Sequence, residues 1–139
     1  GIRNGADVSK ALALGADAVS IGSAAMIAIG DNDPKWEKEY KKLGSVSGAY
    51  DDWHEGNDPA GISTQDKKLM KRLDPIKAGK KLSNYLKVMT LEAQTIARAC
   101  GKNNLHNLEP EDLCALTVES AAMARVPLAG TNWIPGFDK

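Results

Sequence analysis

The chain has 139 residues, enough for one small domain, and its 18 Lys and Arg balance its 18 Asp and Glu, so no overall field points to nucleic acid or an anionic membrane. No apolar run approaches the roughly 20 residues of a membrane-spanning helix, and no secretory signal is visible, although the chain does not open on Met. Cys100 and Cys114 sit in helical patterns without metal spacing and read as buried core thiols of a reducing compartment, which makes the expected setting cytoplasmic and the expected metal content none.

Residues 1–30, GIRNGADVSKALALGADAVSIGSAAMIAIG, carry a repeating plan. Gly1-Ile2-Arg3 reads as the end of a strand, and Asn4-Gly5 as a turn. Asp7 can cap a short helix with Val8, Ala11 and Leu12 on one face, and Gly15 ends it. Ala18-Val19-Ser20-Ile21 reads as a buried strand that stops at Gly22-Ser23, with a second short helix over residues 24–29. Adjacent parallel strands that each end in a Gly-bearing loop can converge their backbone N–H groups on a phosphate, as loops seven and eight of a (β/α)₈ barrel do. Gly1, Ile2, Arg3, Gly22 and Ser23 are the candidate phosphate-binding residues, Arg3 adding a charge-assisted contact. The same glycines would also suit the turns of an ordinary βαβ unit. A closed barrel needs roughly 250 residues, so the barrel reading makes this chain a piece of a longer protein.

Residues 31–61, DNDPKWEKEYKKLGSVSGAYDDWHEGNDPAG, are polar but contain Trp36, Tyr40, Tyr50 and Trp53. Residues 34–43 can form a helical turn or two, and so many aromatics predict an ordered excursion rather than a linker. His54, beside Asp51, Asp52 and Glu55, has neither a nucleophile nor a second ligand spaced to it, and reads as a surface or packing residue.

Residues 62–139 read as helical. Ser63 or Thr64 can cap a helix through Leu69 and Met70 to Leu73, and Asp74-Pro75 breaks it and caps the next. Leu82, Tyr85, Leu86, Met89, Ala93, Ile96, Ala97 and Cys100 recur at three and four, with Gly101 as terminator and Lys77, Lys80, Lys81 and Lys87 as the solvated side. Leu108-Glu109-Pro110-Glu111-Asp112 opens a last predicted helix whose apolar residues are Leu113, Leu116, Val118 and Met123, ended by Pro127. His106 is expected to pack or cap, and Trp133 to lie against another surface.

The opening residues resemble the last two β/α units of phosphate-binding barrels, including IMP dehydrogenase, glycolate-oxidase-type flavoproteins and glutamate synthase. GISTQDKKLMKRLDP, LSNYLKVMTLEAQTIARACGK and LEPEDLCAL leading into AAMARVPLAGT resemble the region after the barrel in the FMN-binding glutamate synthase family. That resemblance implies an α/β fold: the C-terminal portion of a TIM barrel over residues 1–30, a loop in place of an iron–sulfur loop over 31–61, and a helical extension over 62–139. The family's cluster loop reads Cys-x5-Cys-His-x3-Cys-Pro-x-Gly followed by Thr-Gln. His54, Gly56, Pro59, Gly61 and Thr64-Gln65-Asp66 match it in register, while the cysteine positions fall on Ser47, Trp53 and Asp58. The resemblance therefore implies FMN as cofactor and no iron–sulfur cluster on this chain.

Within the family, GDNDPKWEKEY, GAYDDWHEG and GTNWIPG look most like the branch with an altered cluster loop, which includes the large subunit of methylamine–glutamate N-methyltransferase (N-methylglutamate synthase). The implied chemistry is condensation of ammonia or methylamine with a 2-oxoglutarate-derived carbon, then reduction of the imine by hydride from the flavin. The implied partners are the remainder of the barrel, an amidotransferase subunit, an iron–sulfur subunit and small-molecule substrates, with no nucleic acid and no membrane. A non-catalytic barrel scaffold of an amidotransferase complex and an IMP-dehydrogenase-like enzyme are the alternatives. No catalytic residue can be assigned from these residues.

Overall fold

The computed structural model of the chain describes residues 1–50 and 52–137, with Trp53 through its backbone only. Five α-helices occur among them: α1 (Gly5–Ala13), α2 (Ser23–Ile29), α3 (Glu37–Lys42), α4 (Pro75–Ala99) and α5 (Val118–Ala124). The chain divides into two compact units, one of Gly1–Ser20 with Val88–Lys139 and one of Ile21–Lys87.

In the first unit, α1 is capped by Asn4, whose Oδ1 accepts the N–H of Asp7 at 2.9 Å, rather than by Asp7 itself. Asp7 lies one turn further in, where it accepts the Arg3 N–H at 3.0 Å and pairs with Lys10 at 3.1 Å. The Lys10 ammonium and the Arg3 amide hold its carboxyl below the usual aspartate range. Two helices approach closely here because Gly5 has no side chain: a Cβ at that position would stand 2.5 Å from Met89 O and Ala93 N of α4. Ala13, Ala97 and Leu108 form a small core, with Cys100, Leu105 and Leu113 against it. Met89, Ala93 and Ala97 of the expected stripe are buried, but Leu86 remains 40% exposed.

Residues 18–21 differ from the strand expected of them. Val19 and Ile21 are only half-buried, Ala18 and Ser20 are exposed, and no strand ladder occurs among the described residues. A parallel strand takes its hydrogen bonds and burial from neighbours on both sides, and among the described residues none pairs with that segment.

The last predicted helix is also divided. Pro110–Asp112 makes a single 3-10 turn, closed by reciprocal Glu109 and Asp112 capping bonds, and Leu113 is already extended at φ −112°, ψ 151°. Ala115 then makes an isolated parallel bridge with Leu128, donating to Pro127 O and accepting from Ala129 N, both at 2.8 Å. These non-local bonds override the helical spacing. Thr117 caps α5 afresh through the Ser120 N–H, and Arg125 ends it in the left-handed region at φ 55°. The short helix buries Ala121 in a core with Ala115 and Val126, leaving Leu116 86% and Met123 87% exposed. Cys114 is exposed and Cys100 half-buried, so neither is the fully buried thiol expected.

In the second unit, Gly30 caps α2 in the left-handed region at φ 113°, and Asp33 starts the 3-10 turn Pro34–Trp36 that leads into α3. Tyr40 of α3 is fully buried against Tyr50 and Ala60, with Trp36 and Ile62 beside them. No α-helix forms over residues 64–73. Asp66 accepts the N–H groups of Lys68 and Leu69, and the turn continues as the 3-10 segment Met70–Arg72. Gly61, at φ 77°, packs its backbone against the Leu69 carbonyl, where a Cβ would clash. Asp74 caps α4 through the Ile76 and Lys77 N–H groups, as its place before Pro75 predicts.

Candidate functional site

The candidate phosphate loops fall in different compact units, Gly1, Ile2 and Arg3 in one and Gly22 and Ser23 in the other. Gly22 precedes the first turn of α2 without a side-chain cap, and a Cβ there would meet nothing within 4 Å. An anion could therefore approach the amides beside it without obstruction. Arg3 is differently placed. Its N–H is already held by Asp7, and its guanidinium lies 3.7 Å from the same carboxylate while its side chain remains 79% exposed.

In the altered loop of the second unit, Ser47 and Asp58 are tied by hydrogen bonds. Ser47 donates to Glu37 Oε2 at 3.0 Å, and this hydroxyl holds the Glu37 carboxyl below its usual range. Asp58 is fully buried. Its Oδ1 accepts the Tyr40 hydroxyl and the Ala60 N–H, both at 3.0 Å, and its Oδ2 accepts Ile62 N–H at 2.7 Å and Ser63 N–H at 2.8 Å. Those four donors occupy the four acceptor positions of a carboxylate. Two of the three positions aligned with cysteines are thus hydrogen-bonded within the loop. The third is Trp53, whose side chain, like all of Asp51, lies outside the described residues.

Around this centre the expected retained frame has identifiable tasks. Gly56 turns at φ 70°, and its carbonyl accepts the Thr64 hydroxyl. Arg72 Nη1 bridges Pro59 O and Glu39 Oε2, each at 2.8 Å, while its guanidinium stacks 4.7 Å from the Trp36 ring. His54 is exposed on the 3-10 turn Trp53–Glu55. His106 is exposed, with its Nε2 2.9 Å from Asp17 O in the first unit. Among the described residues no three of His, Cys, Asp and Glu gather as a metal site, and no helix is long and apolar enough to cross a membrane.

Sequence reasoning passed over Asp31 and the full role of Tyr40. Asp31, 2% exposed, lies just after the end of α2 with its Oδ1 2.7 Å from the Tyr40 hydroxyl. Burial pushes its carboxyl above the usual range, and the nearby Asp58 charge adds to that. Burial and the two carboxylates also push the Tyr40 phenol up, so it stays a proton donor. The available signal was Asp58-Pro59-Ala60, since an Asp that opens a tight turn often accepts the N–H two residues on.

Two family models match successive parts of the chain: FMN-dependent dehydrogenase over residues 1–35, and the conserved region in glutamate synthase over residues 49–103. These matches support the glutamate synthase family. A glutamate synthase large subunit-like protein of Rhizobium meliloti is 80% identical over 136 residues, covering 98% of this chain and 31% of that protein. An archaeal glutamate synthase [NADPH] of Methanocaldococcus jannaschii is 39% identical over 108 residues, covering 78% of this chain and 18% of that protein. An archaeal-type glutamate synthase [NADPH] of Dehalococcoides mccartyi is 34% identical over 134 residues, covering 94% of this chain and 24% of that protein. The chain thus spans under a third of the length of these glutamate synthase relatives. No solved structure matches it significantly.

Proposed function

We propose that this chain is the C-terminal portion of an FMN-dependent glutamate synthase-family subunit, closing a (β/α)₈ barrel assembled with residues outside it. The observation that carries the reading is the order of the two family matches, an FMN-dependent dehydrogenase segment over residues 1–35 and then a glutamate synthase segment over residues 49–103. The proposed reaction forms glutamate or N-methylglutamate by amination and reduction of a 2-oxoglutarate-derived imine. Bound FMN supplies the hydride chemistry. The chain's own proposed contribution to the flavin phosphate is the open approach at Gly22 and the adjoining amide of Ser23. Val19 and Ile21, half-buried here, would gain sheet neighbours from the rest of the barrel.

The residues at the cluster positions do not fit a three-iron cluster. Such a cluster takes thiolates, whereas Ser47 is a hydroxyl already donating to Glu37 and Asp58 has its oxygens filled by four donors. We therefore assign electron supply to another subunit bearing an iron–sulfur centre or to a diffusible donor, and nitrogen supply to an amidotransferase partner or to free amine. GDNDPKWEKEY, GAYDDWHEG and GTNWIPG favour the branch that includes N-methylglutamate synthase, with ammonia or methylamine as the nitrogen donor.

An absorbance spectrum of the full-length protein tests the flavin reading, which predicts flavin bands released by denaturation. Their absence would favour the scaffold reading. Gly22→Val puts a side chain into the proposed approach and should strip the flavin, and unchanged affinity would place the phosphate elsewhere. Iron and acid-labile sulfide, measured on anaerobically purified protein, should be substoichiometric on this subunit.

A further inference from the structure

We infer that Asp31, Tyr40 and Asp58 form a directed hydrogen-bonded chain that closes the loop over residues 56–63: Asp31 donates to Tyr40, and Tyr40 donates to Asp58. The inference does not depend on the flavin reading. It concerns the position where the resembling synthases carry a cysteine, and assigns the loop closure there to a carboxylate and one exchangeable proton.

The direction follows from counting protons. Asp58 faces three backbone N–H groups, which can only donate, so its oxygens serve as acceptors. A proton on Asp58 would displace one of those bonds. Tyr40 has a single hydroxyl proton but lies within hydrogen-bond distance of both carboxylates, 2.7 Å from Asp31 and 3.0 Å from Asp58. With both carboxylates ionised, one proton serves two buried anions. With a second proton on Asp31, every contact is satisfied: Asp31 O–H to the phenol oxygen, and phenol O–H to Asp58. The groups facing Asp31 favour that arrangement. They are Tyr40 from α3, Asp58 from the loop and the backbone N–H of Gly48, and none is a cation. All three side chains are at most 2% exposed, so water does not substitute for a missing bond.

The chain joins three parts of the second unit. Asp31 follows the C-terminal end of α2, its own N–H bonded to Met26 O, and Tyr40 comes from α3. Asp58 gathers the N–H groups of Ala60, Ile62 and Ser63. Two isosteric variants separate the roles. Asn at position 31 can donate to the phenol oxygen as a protonated acid does. Asn at position 58 must set its own NH₂ against groups that only donate.

Hydrogen exchange at the Ala60, Ile62 and Ser63 amides of the full-length protein, read as protection factors from about pH 4 to 7, tests this. Because the closed loop holds a proton that the open loop releases, protection should fall about tenfold per pH unit above the ordinary aspartate value of 3.8. The fall should continue up to the raised value of Asp31 and then level off. Asp31→Asn should keep the protection and remove this pH dependence. Asp58→Asn should lose about tenfold or more at every pH, with α4 amides beyond Val88 unchanged as a control for folding. Should Asp58→Asn fail to fold, Tyr40→Phe should give the same local loss, because it leaves two carboxylates facing each other. Equal losses in Asp31→Asn and Asp58→Asn would overturn the directed chain, as would a pH response that persists in Asp31→Asn.

Discussion

Glu92 reaches from α4 to the start of α1, its Oε2 2.7 Å from the N–H of Gly5, a residue 87 positions earlier. The carboxylate satisfies one of the amides that a helix start leaves unpaired, and favours the positive end of the helix dipole. Gly5 allows the contact because its Cα sits where any Cβ would strike the α4 backbone. Glu92→Ala should therefore loosen α1 by about 1 kcal/mol, and Gly5→Ala by about 1–3 kcal/mol as the helices are forced apart. Hydrogen exchange at the amides of α1 measures both, and a smaller effect for Gly5→Ala would refute the close-approach account.

Arg72 should resist conservative replacement. It joins Pro59 O, Glu39 and the Trp36 ring through one planar group. Arg72→Ala should cost about 1–3 kcal/mol of local stability, and Arg72→Lys should recover less than half, because an ammonium cannot stack and bridge at once. Urea titration followed by Trp fluorescence would show the order of the two variants.

Lys102 gives a pH signature of the same sign as Asp31 but at the alkaline end, because both groups are raised in the folded state. It pairs with Glu109 at 3.0 Å and Asp112 at 3.4 Å, and the Glu109 carboxylate chiefly raises its ammonium above the ordinary 10.5. A raised value in the folded state means that the tie is fully present below 10.5 and lost as pH climbs through the folded value. Exchange around residues 102–112 should thus show no contribution from this pair's titration between about pH 6 and 9. Lys102→Met should lower protection around residues 102–112 across the neutral range and abolish the alkaline step.

The chain on its own should self-associate. Ile76 is 85% exposed, Val88 63%, Leu91 58%, Leu116 86% and Met123 87%, and residues 18–21 have no ladder partner. Such surface favours burial against another copy. Sedimentation should give species well above the 14.8 kDa of one chain, with helical circular dichroism retained from α4 and no bound FMN. A monomer with a sharp unfolding transition and bound flavin would contradict this.

Local signals were enough for several elements. Asp74-Pro75 and Gly101 bracket α4, and Gly30 ends α2, because caps and breakers act through bonds within a few residues. The ordered excursion over residues 31–61 was likewise legible, since its aromatics Trp36, Tyr40 and Tyr50 needed a core to fill. What the sequence could not reveal depended on contacts between distant residues. The helix expected after Leu108 was broken by Ala115 pairing with Leu128, and Thr64, expected as a helix cap, instead donates its hydroxyl to Gly56 O. Asp31, Tyr40 and Asp58 are 9 and 18 positions apart along the chain, with no periodic relation between them. Their common site exists because α3 buries a phenol that needs an acceptor, and because the turn after Asp58 directs three amides at one carboxylate. Burial then sets the proton affinity of Asp31, a quantity that tertiary structure alone decides, because a carboxyl is perturbed by what surrounds it and not by its neighbours in sequence.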